Sequence, residues 1–318
     1  DIFGSRGLGD VYKRQPLSKL ITMKNRIFSI ALALGFLLVT NTADAKIWRV
    51  NNNAGVDADF TDFITARNAA SPGDTIHLEP STTSYGDIFM IKRLHIVGSG
   101  YYLSSNDSTQ AYLVSSTLGD VTFNAGSEGS SIAGLVADYV YVDVNNISIS
   151  RCNTLVIYLD NSDFTIIKQN YIQRIVVQQS CNFLNILNNY IWNSSGYSLT
   201  MSTDDDAIIS HNILRYDCSF YNSMVKNNIT LSTAGFSSSN CVFKNNVSVS
   251  NQFGTANGNV ANVDINTLFV DYNGNLGYSN DSRWQLTPYS VILGAPSPAI
   301  GAADDGGDCG IFGGAEPY

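Results

Sequence analysis

The feature that most constrains this chain is a short line of sequence that recurs between residues 140 and 250. Each line ends in one or two asparagines followed by a β-forming residue. When the lines are superposed on these asparagines, the steps between them are 17, 19, 23, 16 and 18 residues. Self-similarity with a period near 20 residues is typical of a solenoid, in which each repeat is one structural unit. The superposed asparagines are Asn153, Asn170, Asn189, Asn212, Asn228 and Asn246.

The residues between the asparagines indicate which kind of solenoid this is. They form runs of two to five β-branched or aromatic residues that alternate with polar ones, as in 140–142 and 175–177. No stretch has the 3.6-residue period of an amphipathic helix, which excludes helical repeats and the leucine-rich class. Three short strands with their turns fit into about 20 residues, which is one rung of a parallel β-helix. We therefore predict an all-β fold of this type.

Stacking of equivalent residues explains the asparagines. Adjacent rungs lie ~4.8 Å apart, so a residue that recurs once per turn forms a vertical ladder. Asparagine tolerates the left-handed conformation of a tight turn, and its amide can bond to the amides above and below. We interpret these asparagines as structural. The step of 23 between Asn189 and Asn212 predicts an outward loop around 194–206, and such loops carry function in repeat proteins.

The N-terminal residues predict export. Met23 is followed by basic residues, an apolar run from Ile27 to Val39, and an Ala-Asp-Ala site that ends at Ala45. This pattern is typical of a secretory signal peptide over residues 23–45, cleaved after Ala45. The alternative is an uncleaved membrane anchor, although the run is shorter than the ~20 residues of a transmembrane helix. Residues 1–22 are expected to be a non-native upstream segment, because the string DVYKRQ resembles adaptor-derived sequence.

The predicted mature chain, residues 46–318, is acidic. It carries 12 Lys and Arg against 24 Asp and Glu, a formal charge of −12. Such a surface repels phosphate backbones, so no nucleic-acid partner is expected. No second apolar span follows, so we expect the mature chain to have no transmembrane segment and to be secreted or located at the cell surface. We also expect a monomer. The five cysteines include no CxxC pair and no Cys/His cluster, and are interpreted as buried thiols.

Both flanks of the repeat region resemble known β-helix proteins. Residues 46–100 contain a predicted helix near Asp59–Ala70 and the string PGDTI, and resemble the N-terminal cap of the pectate-lyase-like superfamily. Residues Ala295–Gly314 resemble the closing coil of secreted β-helix proteins of the Bacteroidetes. The resemblance implies a right-handed, single-stranded parallel β-helix over 46–318, with a short N-terminal capping helix and a closing coil at about 265–318.

Three consecutive carboxylates, Asp204, Asp205 and Asp206, end the predicted loop and precede His211. Adjacent carboxylates repel one another unless they share a proton or a cation, which is the basis of paired acid–base catalysis and of Ca²⁺ sites. The string DDAI resembles the paired-Asp motif of polygalacturonase-type hydrolases, but the GHG and RIK motifs of that family and a third carboxylate are missing. The four residues are candidate catalytic residues, and the three aspartates are candidate ligands for Ca²⁺, the one cofactor suggested. The alternative is a solvated acidic loop.

Basic and aromatic side chains indicate where a glycan would bind. Lys168, Lys226 and Lys244 stand two residues before their asparagines and, with Arg151, predict a vertical basic stripe. The stripe would attract an anionic polysaccharide, or would only keep the outer face soluble. Aromatic rings near the loop would stack on sugars, or would pack in a core. The candidate substrate-binding residues are Lys168, Arg174, Trp192, Tyr197, Arg215, Lys226 and Lys244.

Two functions from different classes fit this sequence. The first is a secreted or cell-surface scaffold that binds a glycan or acts in adhesion without catalysis. The second is a polysaccharide lyase or glycoside hydrolase that acts on an acidic, uronic-acid polysaccharide. Because a β-helix hosts both classes, the decision depends on a site. We favour the scaffold, since the sequence holds no complete catalytic set.

Overall fold

The computed structural model describes residues 45–101, 103, 113–193, 196–233, 236–269, 293–294, 297–315 and 317. Within these ranges the chain folds into a parallel β-solenoid of about nine turns, which confirms the all-β, parallel β-helix predicted from the repeat. The upstream segment and the predicted signal peptide up to residue 44 lie outside the described residues. Within the described ranges, no helix combines the length and apolar character needed to cross a bilayer.

Each turn of the solenoid contains two or three short strands. In chain order they are β1 (Ile47–Val50), β2 (Thr75–Leu78), β3 (Ile88–Met90), β4 (His95–Val97), β5 (Val121–Phe123), β6 (Ser131–Ala133), β7 (Val136–Val142), β8 (Ser148–Ser150), β9 (Asn153–Asp160), β10 (Ile166–Lys168), β11 (Tyr171–Gln179), β12 (Leu184–Leu187), β13 (Tyr190–Ile191), β14 (Tyr197–Thr200), β15 (Ala207–Ser210), β16 (Ile213–Leu214), β17 (Asp217–Tyr221), β18 (Ser223–Lys226), β19 (Ile229–Thr230), β20 (Ser237–Ser239), β21 (Val242–Lys244) and β22 (Val247–Ser248). The described helical elements are α1 (Phe63–Ala69) and the 3-10 helices Ala256–Gly258 and Ile265–Thr267.

Three faces surround the interior. Face A is a ten-stranded parallel sheet in the order β1-β2-β4-β6-β8-β10-β12-β15-β18-β21. Face B contains the first halves of β7, β9 and β11, followed by β13, β16, β19 and β22. Face C contains β3, β5, the second halves of the same long strands, and then β14, β17 and β20. Faces B and C are therefore one continuous sheet as far as β11, and separate into β13 and β14 on the next turn.

A column of isoleucines on face A fills the interior. Its members occupy equivalent positions on successive strands and are fully buried, and equal β-branched side chains at ~4.8 Å spacing pack without voids. The column consists of Ile76, Ile96, Ile132, Ile149, Ile167, Ile186 and Ile209. At the last turns, four phenylalanines with ring centroids 5.1–6.5 Å apart close the interior. They are Phe220, Phe236, Phe243 and Phe253.

The first turn is covered by a short helix, as predicted. Helix α1 lies within the expected range Asp59–Ala70, and the side chain of its N-cap Asp62 accepts a hydrogen bond from the Thr65 backbone N–H. Its buried residues belong to the same apolar core as the isoleucine column. The preceding Phe60 forms a parallel bridge to Val50 of β1. The free edge of face A is therefore partly paired at this end.

The corner between faces A and B holds the asparagine ladder. Nδ2 of each member donates to Oδ1 of the next member over 2.9–3.1 Å, and the same Oδ1 also accepts from the backbone N–H of the member above. The other Nδ2 hydrogen is donated to a backbone carbonyl of the preceding turn. The predicted stacking is confirmed for five residues and extends to a sixth. The members are Asn170, Asn189, Asn212, Asn228, Asn246 and Asn259.

Two details of the predicted ladder are wrong. Asn153 pairs with Tyr171 on face B, and the backbone N–H of Cys152 bonds to Oδ1 of Asn170 in its place. The left-handed residue is not the ladder asparagine but the one before it, with φ between 51° and 58° at six successive turns. In a pair such as Asn188-Asn189, the first residue therefore makes the turn and the second fills the ladder. The left-handed residues are Arg151, Gln169, Asn188, His211, Asn227 and Asn245.

The described C-terminal residues add no further rung. Residues 297–315 with Pro317, here named the C-terminal strap, run back along the ladder corner and are held by the left-handed residues. The described part of the predicted closing coil thus lies against the side of the solenoid. The contacts are Asn245 Nδ2 to Ala302 O (2.9 Å), Gly310 N to Asn227 O (2.9 Å), Asn188 Nδ2 to Ile311 O (3.0 Å) and Gly313 O (2.8 Å), and Gln169 Nε2 to Pro317 O (2.7 Å).

The C-terminal strap covers a second apolar core, which lies outside the solenoid. The strap approaches face B so closely that a Cβ at Gly310, where φ is +88°, would lie 2.8 Å from Cδ1 of Ile229. Only glycine fits that position without displacing the strap. The column of face B in this core is Tyr171, Tyr190, Ile213, Ile229 and Val247. The residues packed over it include Leu268, Phe269, Ala299, Cys309 and Ile311.

The cysteines behave as the sequence predicts. All five are free thiols. Four of them, Cys152, Cys181, Cys218 and Cys309, are buried, and Cys241 is partly exposed. Burial raises the pKa of the Cys152 thiol to about 12. These side chains therefore act as small apolar groups in the two cores.

Replacing a ladder member should destabilise the fold far more than replacing a neighbouring asparagine. Asn189→Ala would leave two buried donors of Asn170, its backbone N–H and Nδ2, without the oxygen that both use. Each orphaned donor costs about 1–3 kcal/mol, so we expect a loss of about 2–6 kcal/mol in the free energy of unfolding. Urea unfolding measures it. The matched control is Asn185→Ala on the same rung, where a loss equal to that of Asn189→Ala would contradict the role of the ladder.

Candidate functional site

The three consecutive aspartates are separated by their hydrogen bonds. Asp205 is fully buried, and its carboxylate accepts from the backbone N–H groups of Cys181 (2.9 Å) and Ser202 (2.5 Å). Burial raises the pKa of the Asp205 carboxyl. Asp206 accepts from the backbone N–H of Phe183, whereas Asp204 is exposed. Asp205 and Asp206 therefore hold the corner that leads into face A, and do not face a common point with Asp204.

His211 lies at the opposite end of the strand from the aspartates. β15 separates His211 from Asp206, and five residues at ~3.3 Å each place them about 16 Å apart. The ring is buried beneath the strap, 3.3 Å from Nδ2 of Asn227 and 3.7 Å from a carboxylate oxygen of Asp305. Burial lowers the pKa of His211. The four candidate catalytic residues are thus not brought into one site.

The predicted outward loop contains a short strand. Residues Tyr197–Thr200 form β14, which pairs with β11 and β17 on face C, so only part of 194–206 departs from the regular turn. Residues 194 and 195 of that range lie outside the described residues. Across the described ranges, no three His, Cys, Asp or Glu side chains are grouped so that they could hold a metal ion. The role of the aspartates as Ca²⁺ ligands stays a prediction without geometric support.

The predicted basic stripe is interrupted. Strand register places Leu187 and Ser210 between Lys168 and Lys226, and only Lys226 and Lys244 are direct neighbours. Ser150, and not Arg151, is the residue in register with Lys168. Arg151 is the next residue along the chain and belongs to the column of left-handed residues. Its Nε donates to the side-chain oxygen of Gln169 at 3.1 Å. The stripe prediction failed because a position two residues before an asparagine holds lysine on only some turns.

Lys226 and Lys244 form ion pairs with the strap. Their ammonium groups lie 3.1 Å and 3.2 Å from Oδ2 of Asp304, and Nδ2 of Asn227 donates to Oδ1 of the same carboxylate at 2.7 Å. The Asn227 hydrogen bond, together with those from the two lysines, holds the pKa of Asp304 well below its usual range. These two candidate substrate-binding lysines are therefore engaged within the chain and fasten the strap to the ladder corner.

Aromatic residues on neighbouring rungs use their ring faces on each other. Tyr141 and Tyr158 stack on face C with centroids 5.2 Å apart and planes 6° apart. Phe164 and Phe183 stack in the same way at 4.8 Å, the spacing of the rungs. Rings stacked along the axis show their edges to solvent, whereas a sugar stacks on a free ring face. Regular aromatic columns here are therefore poor platforms for sugars.

Strand register places four candidate substrate-binding residues near one another at the outer edge of face B. Ile172, Ile191 and Leu214 are paired in register, so Trp192 and Arg215, which follow the last two, lie one above the other. Arg174 lies on β11, one turn above Trp192 and two turns above Arg215. Tyr197 begins β14, which pairs with β11 directly after Arg174, and its carbonyl accepts from Nδ2 of Asn193 at 2.7 Å. We name this group the Trp192 ledge: Arg174, Trp192, Tyr197 and Arg215.

The Trp192 ledge contains buried donors that have no acceptor among the described residues. They are Nε1 of Trp192 and Nε of Arg174. The indole ring of Trp192 stacks on Tyr171, with centroids 5.7 Å apart, so its N–H is fixed in position. Nδ2 of Asn153, which is paired with Tyr171, is a third such donor. A buried donor without an acceptor costs about 1–3 kcal/mol and is rare in native proteins, so this grouping requires an explanation.

The Trp192 ledge is chemically suited to a ligand rich in acceptors. Nε of Arg174 and the indole N–H of Trp192 are donors without acceptors on adjacent turns, and Tyr197 is 40% exposed beside them. Arg215, which already makes a contact of its own, adds positive charge one turn further on. Guanidinium groups pair bidentately with carboxylates and sulfates. Residue type alone does not distinguish these residues from Lys226 and Lys244. Two further residues were not predicted: Asn153 of this region, which was assigned to the ladder, and Asp304, whose partners lie 60 and 78 residues away.

The buried aspartate should matter for stability and the exposed one should not. Asp205→Ala leaves two backbone donors without acceptors, so we expect a loss of about 2 kcal/mol or more in the free energy of unfolding. Asp204→Ala, its neighbour, should change stability by less than about 0.5 kcal/mol. Chemical denaturation of both variants, with and without Ca²⁺, measures this. A rise in stability with Ca²⁺ that Asp204→Ala abolishes would instead establish a metal site.

The strap should loosen as the pH falls. The pKa of Asp304 is depressed in the folded state, so its ionised carboxylate stabilises the fold fully above the unfolded-state pKa of about 3.9. This stabilisation is lost as the pH falls through the folded-state pKa. Asp304→Asn should lower the free energy of unfolding at pH 7 by only about 1 kcal/mol, because both lysines are partly exposed to solvent. The variant should also lose less stability than the wild type between pH 4 and pH 2. Urea unfolding from pH 7 to pH 2 measures both effects. Asp305→Asn is the control, and an equal effect there would contradict the assignment to Asp304.

Comparison with known proteins adds no family to this geometry. No protein-family model matches the chain, and neither a curated protein nor a solved structure matches it. The fold is therefore established by the strand pairing alone. The likeness of the two flanks to pectate-lyase-like and Bacteroidetes proteins stays a resemblance of short motifs.

Proposed function

We propose that this chain is an exported β-helix scaffold that binds an acidic polysaccharide at the Trp192 ledge. The observation that carries the proposal is the pair of buried donors, Nε1 of Trp192 and Nε of Arg174, without acceptors in the described residues. They lie on adjacent turns of one face, beside a second arginine. A ligand that supplies acceptor oxygens and negative charge would satisfy both requirements together.

An acidic glycan suits these donors better than a neutral one. A carboxylate or sulfate forms charge-assisted hydrogen bonds with guanidinium, which are about twice as strong as those between neutral groups. One face of the Trp192 ring is already used by Tyr171. Recognition at the ledge would therefore rest on hydrogen bonds and charge, and less on stacking. This favours uronic-acid or sulfated chains among polysaccharides.

The spacing of the arginines suits a ligand that lies along the axis. Arg174 and Arg215 are two turns apart, which is about 10 Å at the rung spacing. The same distance is close to the Debye length at physiological ionic strength, so each guanidinium acts on its own segment of the ligand. The chain as a whole is acidic and repels a polyanion at long range. Affinity would therefore be modest, local and sensitive to salt.

The binding function is favoured over catalysis. The carboxylates and the imidazole that a hydrolase or lyase would use are directed at backbone groups, solvent or the strap. General acid–base catalysis requires such groups within hydrogen-bond reach of one substrate position. A scaffold role in adhesion or in retention of glycan at the cell surface requires only the ledge and a rigid support.

Binding assays with defined polysaccharides test the proposal. The mature chain would be titrated with polygalacturonate and a sulfated glycan, and with a neutral glucan as the comparison. We expect saturable binding of the acidic chains that weakens with added salt, and no binding of the glucan. Ultraviolet absorbance of the same mixtures reports unsaturated products, and a steady rise would mean a lyase instead of a scaffold.

Variants of the ledge locate the binding. Trp192→Phe keeps an aromatic ring, although a smaller one, and removes the N–H, and Arg174→Gln removes the charge. Each should weaken binding by about tenfold, which corresponds to about 1.4 kcal/mol. The matched control is Arg151→Gln, an exposed arginine on the ladder corner, which should bind like the wild type. If Arg151→Gln alone lost binding, the ligand would lie on the ladder corner and the assignment to the ledge would be wrong.

A further inference from the structure

Asp74 is a buried carboxylate at the first turn of the solenoid. It is 5% exposed and lies immediately before β2. Its Oδ1 accepts from the backbone N–H of Lys46 at 2.8 Å, and its Oδ2 accepts from Nε1 of Trp48 at 2.9 Å and from the backbone N–H of Ser71 at 2.8 Å. Burial alone would raise the pKa of the Asp74 carboxyl, but these hydrogen bonds and the Lys46 charge outweigh it and lower the pKa. The carboxylate is therefore ionised at neutral pH.

This buried charge has no ion-pair partner among the described side chains. The ion pairs within the described ranges are made by other carboxylates, and none involves Asp74. The ammonium group of the Lys46 side chain lies over the ring of Trp48 instead, 3.2 Å from its centroid. Aspartate is almost never buried unless it is paired, because removing its charge from water is costly. We therefore expect a cationic partner for this carboxylate in the functional protein.

The predicted cleavage after Ala45 would supply that partner. Hydrolysis of the peptide bond between Ala45 and Lys46 consumes one water and leaves a carboxylate on Ala45 and an amine on Lys46. An α-amine has a pKa of about 7.7–8.0 and is protonated at neutral pH. The nitrogen that would carry this charge is the one that already lies 2.8 Å from Oδ1 of Asp74. Its hydrogen bond would become charge-assisted, which makes it about twice as strong.

We propose that Asp74 is the docking site of the mature N-terminus, so that removal of the signal peptide by an export peptidase adds an ion pair that locks the first turn of the solenoid. The inference rests on the predicted cleavage after Ala45 and not on the Trp192 ledge. Ala45 is exposed, so its removal leaves no cavity, and the hydrogens that the ammonium does not donate to Asp74 stay hydrated. The nitrogen is held in place because the Lys46 carbonyl accepts from the backbone N–H of Thr75 at 2.8 Å, and β1 begins at the next residue.

The ion pair would join three parts of the N-terminal cap. Lys46 precedes β1, Ser71 follows α1, and Asp74 precedes β2. The backbone carbonyl of Asp74 also accepts from the N–H of His95, the first residue of β4, at 3.0 Å. Trp48, the indole donor, packs against the main apolar core. A stronger bond to Asp74 therefore secures the terminal strand of face A together with the capping helix.

The other charged and titratable side chains near this corner have contacts of their own. Those of β1, β2 and the preceding loop interact with one another, and those of the next turn contact backbone groups or a hydroxyl. They are Arg49 with Glu79, Asp57 and Asp59 beside Arg49, His77 beside Glu79, Lys92 on the Ala70 carbonyl, Arg93 against Gly73, and His95 on Ser131. The Lys46 nitrogen therefore meets Asp74 and no second carboxylate among the described residues.

Mass spectrometry of the exported protein tests the cleavage. The chain from Met23 to Tyr318 would be expressed in a bacterial host and recovered after export. We expect Lys46 as the first residue of the mature protein. A mature chain that begins at another residue, or one that keeps its signal peptide, would overturn the proposal.

Urea unfolding tests the lock. The chain that begins at Lys46 is compared with one extended by three alanines, in which the Lys46 nitrogen stays an amide. Near pH 6 we expect a folding equilibrium constant roughly fivefold to tenfold larger for the mature chain, because a charge-assisted hydrogen bond replaces a neutral one. Asp74 raises the pKa of the amine in the folded state. The gain is therefore fully present below the unfolded-state pKa of about 7.7–8.0, and is lost as the pH rises through the folded-state pKa.

Two aspartate variants identify the partner of the amine. In Asp74→Asn the mature and extended chains should be equally stable, whereas the control Asp59→Asn should keep the difference, since Asp59 accepts from the backbone N–H of Arg49. If Asp74→Asn does not fold, competitive labelling of the wild-type α-amine with acetic anhydride gives its pKa, which should lie above about 8. An amine that titrates as in the unfolded chain, or a stability difference that survives Asp74→Asn, would refute the docking. Both chains should bind polygalacturonate equally, which separates this test from that of the ledge.

Discussion

The whole structure depends on how one asparagine amide is satisfied at the corner between faces A and B. The amide oxygen accepts from the backbone N–H and Nδ2 of the ladder member on the turn above. The amide nitrogen donates to the amide oxygen of the member below and to a backbone carbonyl. A buried amide is costly unless every group is paired, so a partly formed ladder would be worse than none. The geometry also requires a left-handed residue immediately before each amide. That residue points outward, where it holds the strap.

One corner therefore organises two cores. Inside, it fixes the register that aligns the isoleucines of face A. Outside, the left-handed Asn188, Asn227 and Asn245 anchor the strap, which buries the apolar column of face B. An asparagine doublet therefore arises where one asparagine forms the left-handed turn and the next is a member of the ladder. In His211-Asn212 a histidine forms the turn, so the doublet is absent.

The period and the strand chemistry were sufficient to predict the solenoid, because stacked turns require the same residue types at equivalent positions on every turn. The offset of one residue at Asn153 was not predictable, since the backbone N–H of Cys152 completes the ladder without a side-chain amide. Asn259 was missed because its turn is only 13 residues long. For the candidate site, residue type identified Arg174, Trp192, Tyr197 and Arg215. It did not reveal that Lys226 and Lys244 are neutralised by Asp304, because that contact joins distant parts of the chain.

The strap has a consequence for how this protein can change in evolution. Solenoids ordinarily lengthen or shorten by gaining or losing a whole repeat, since each repeat contacts only its neighbours. Here one segment spans the turns from Gln169 to Asn245 and is fastened to at least four of them. Adding or removing a turn in that interval would shift every fastening point by ~4.8 Å and break the match. The number of turns beneath the strap is thereby fixed, while the turns before Arg151 remain free to vary.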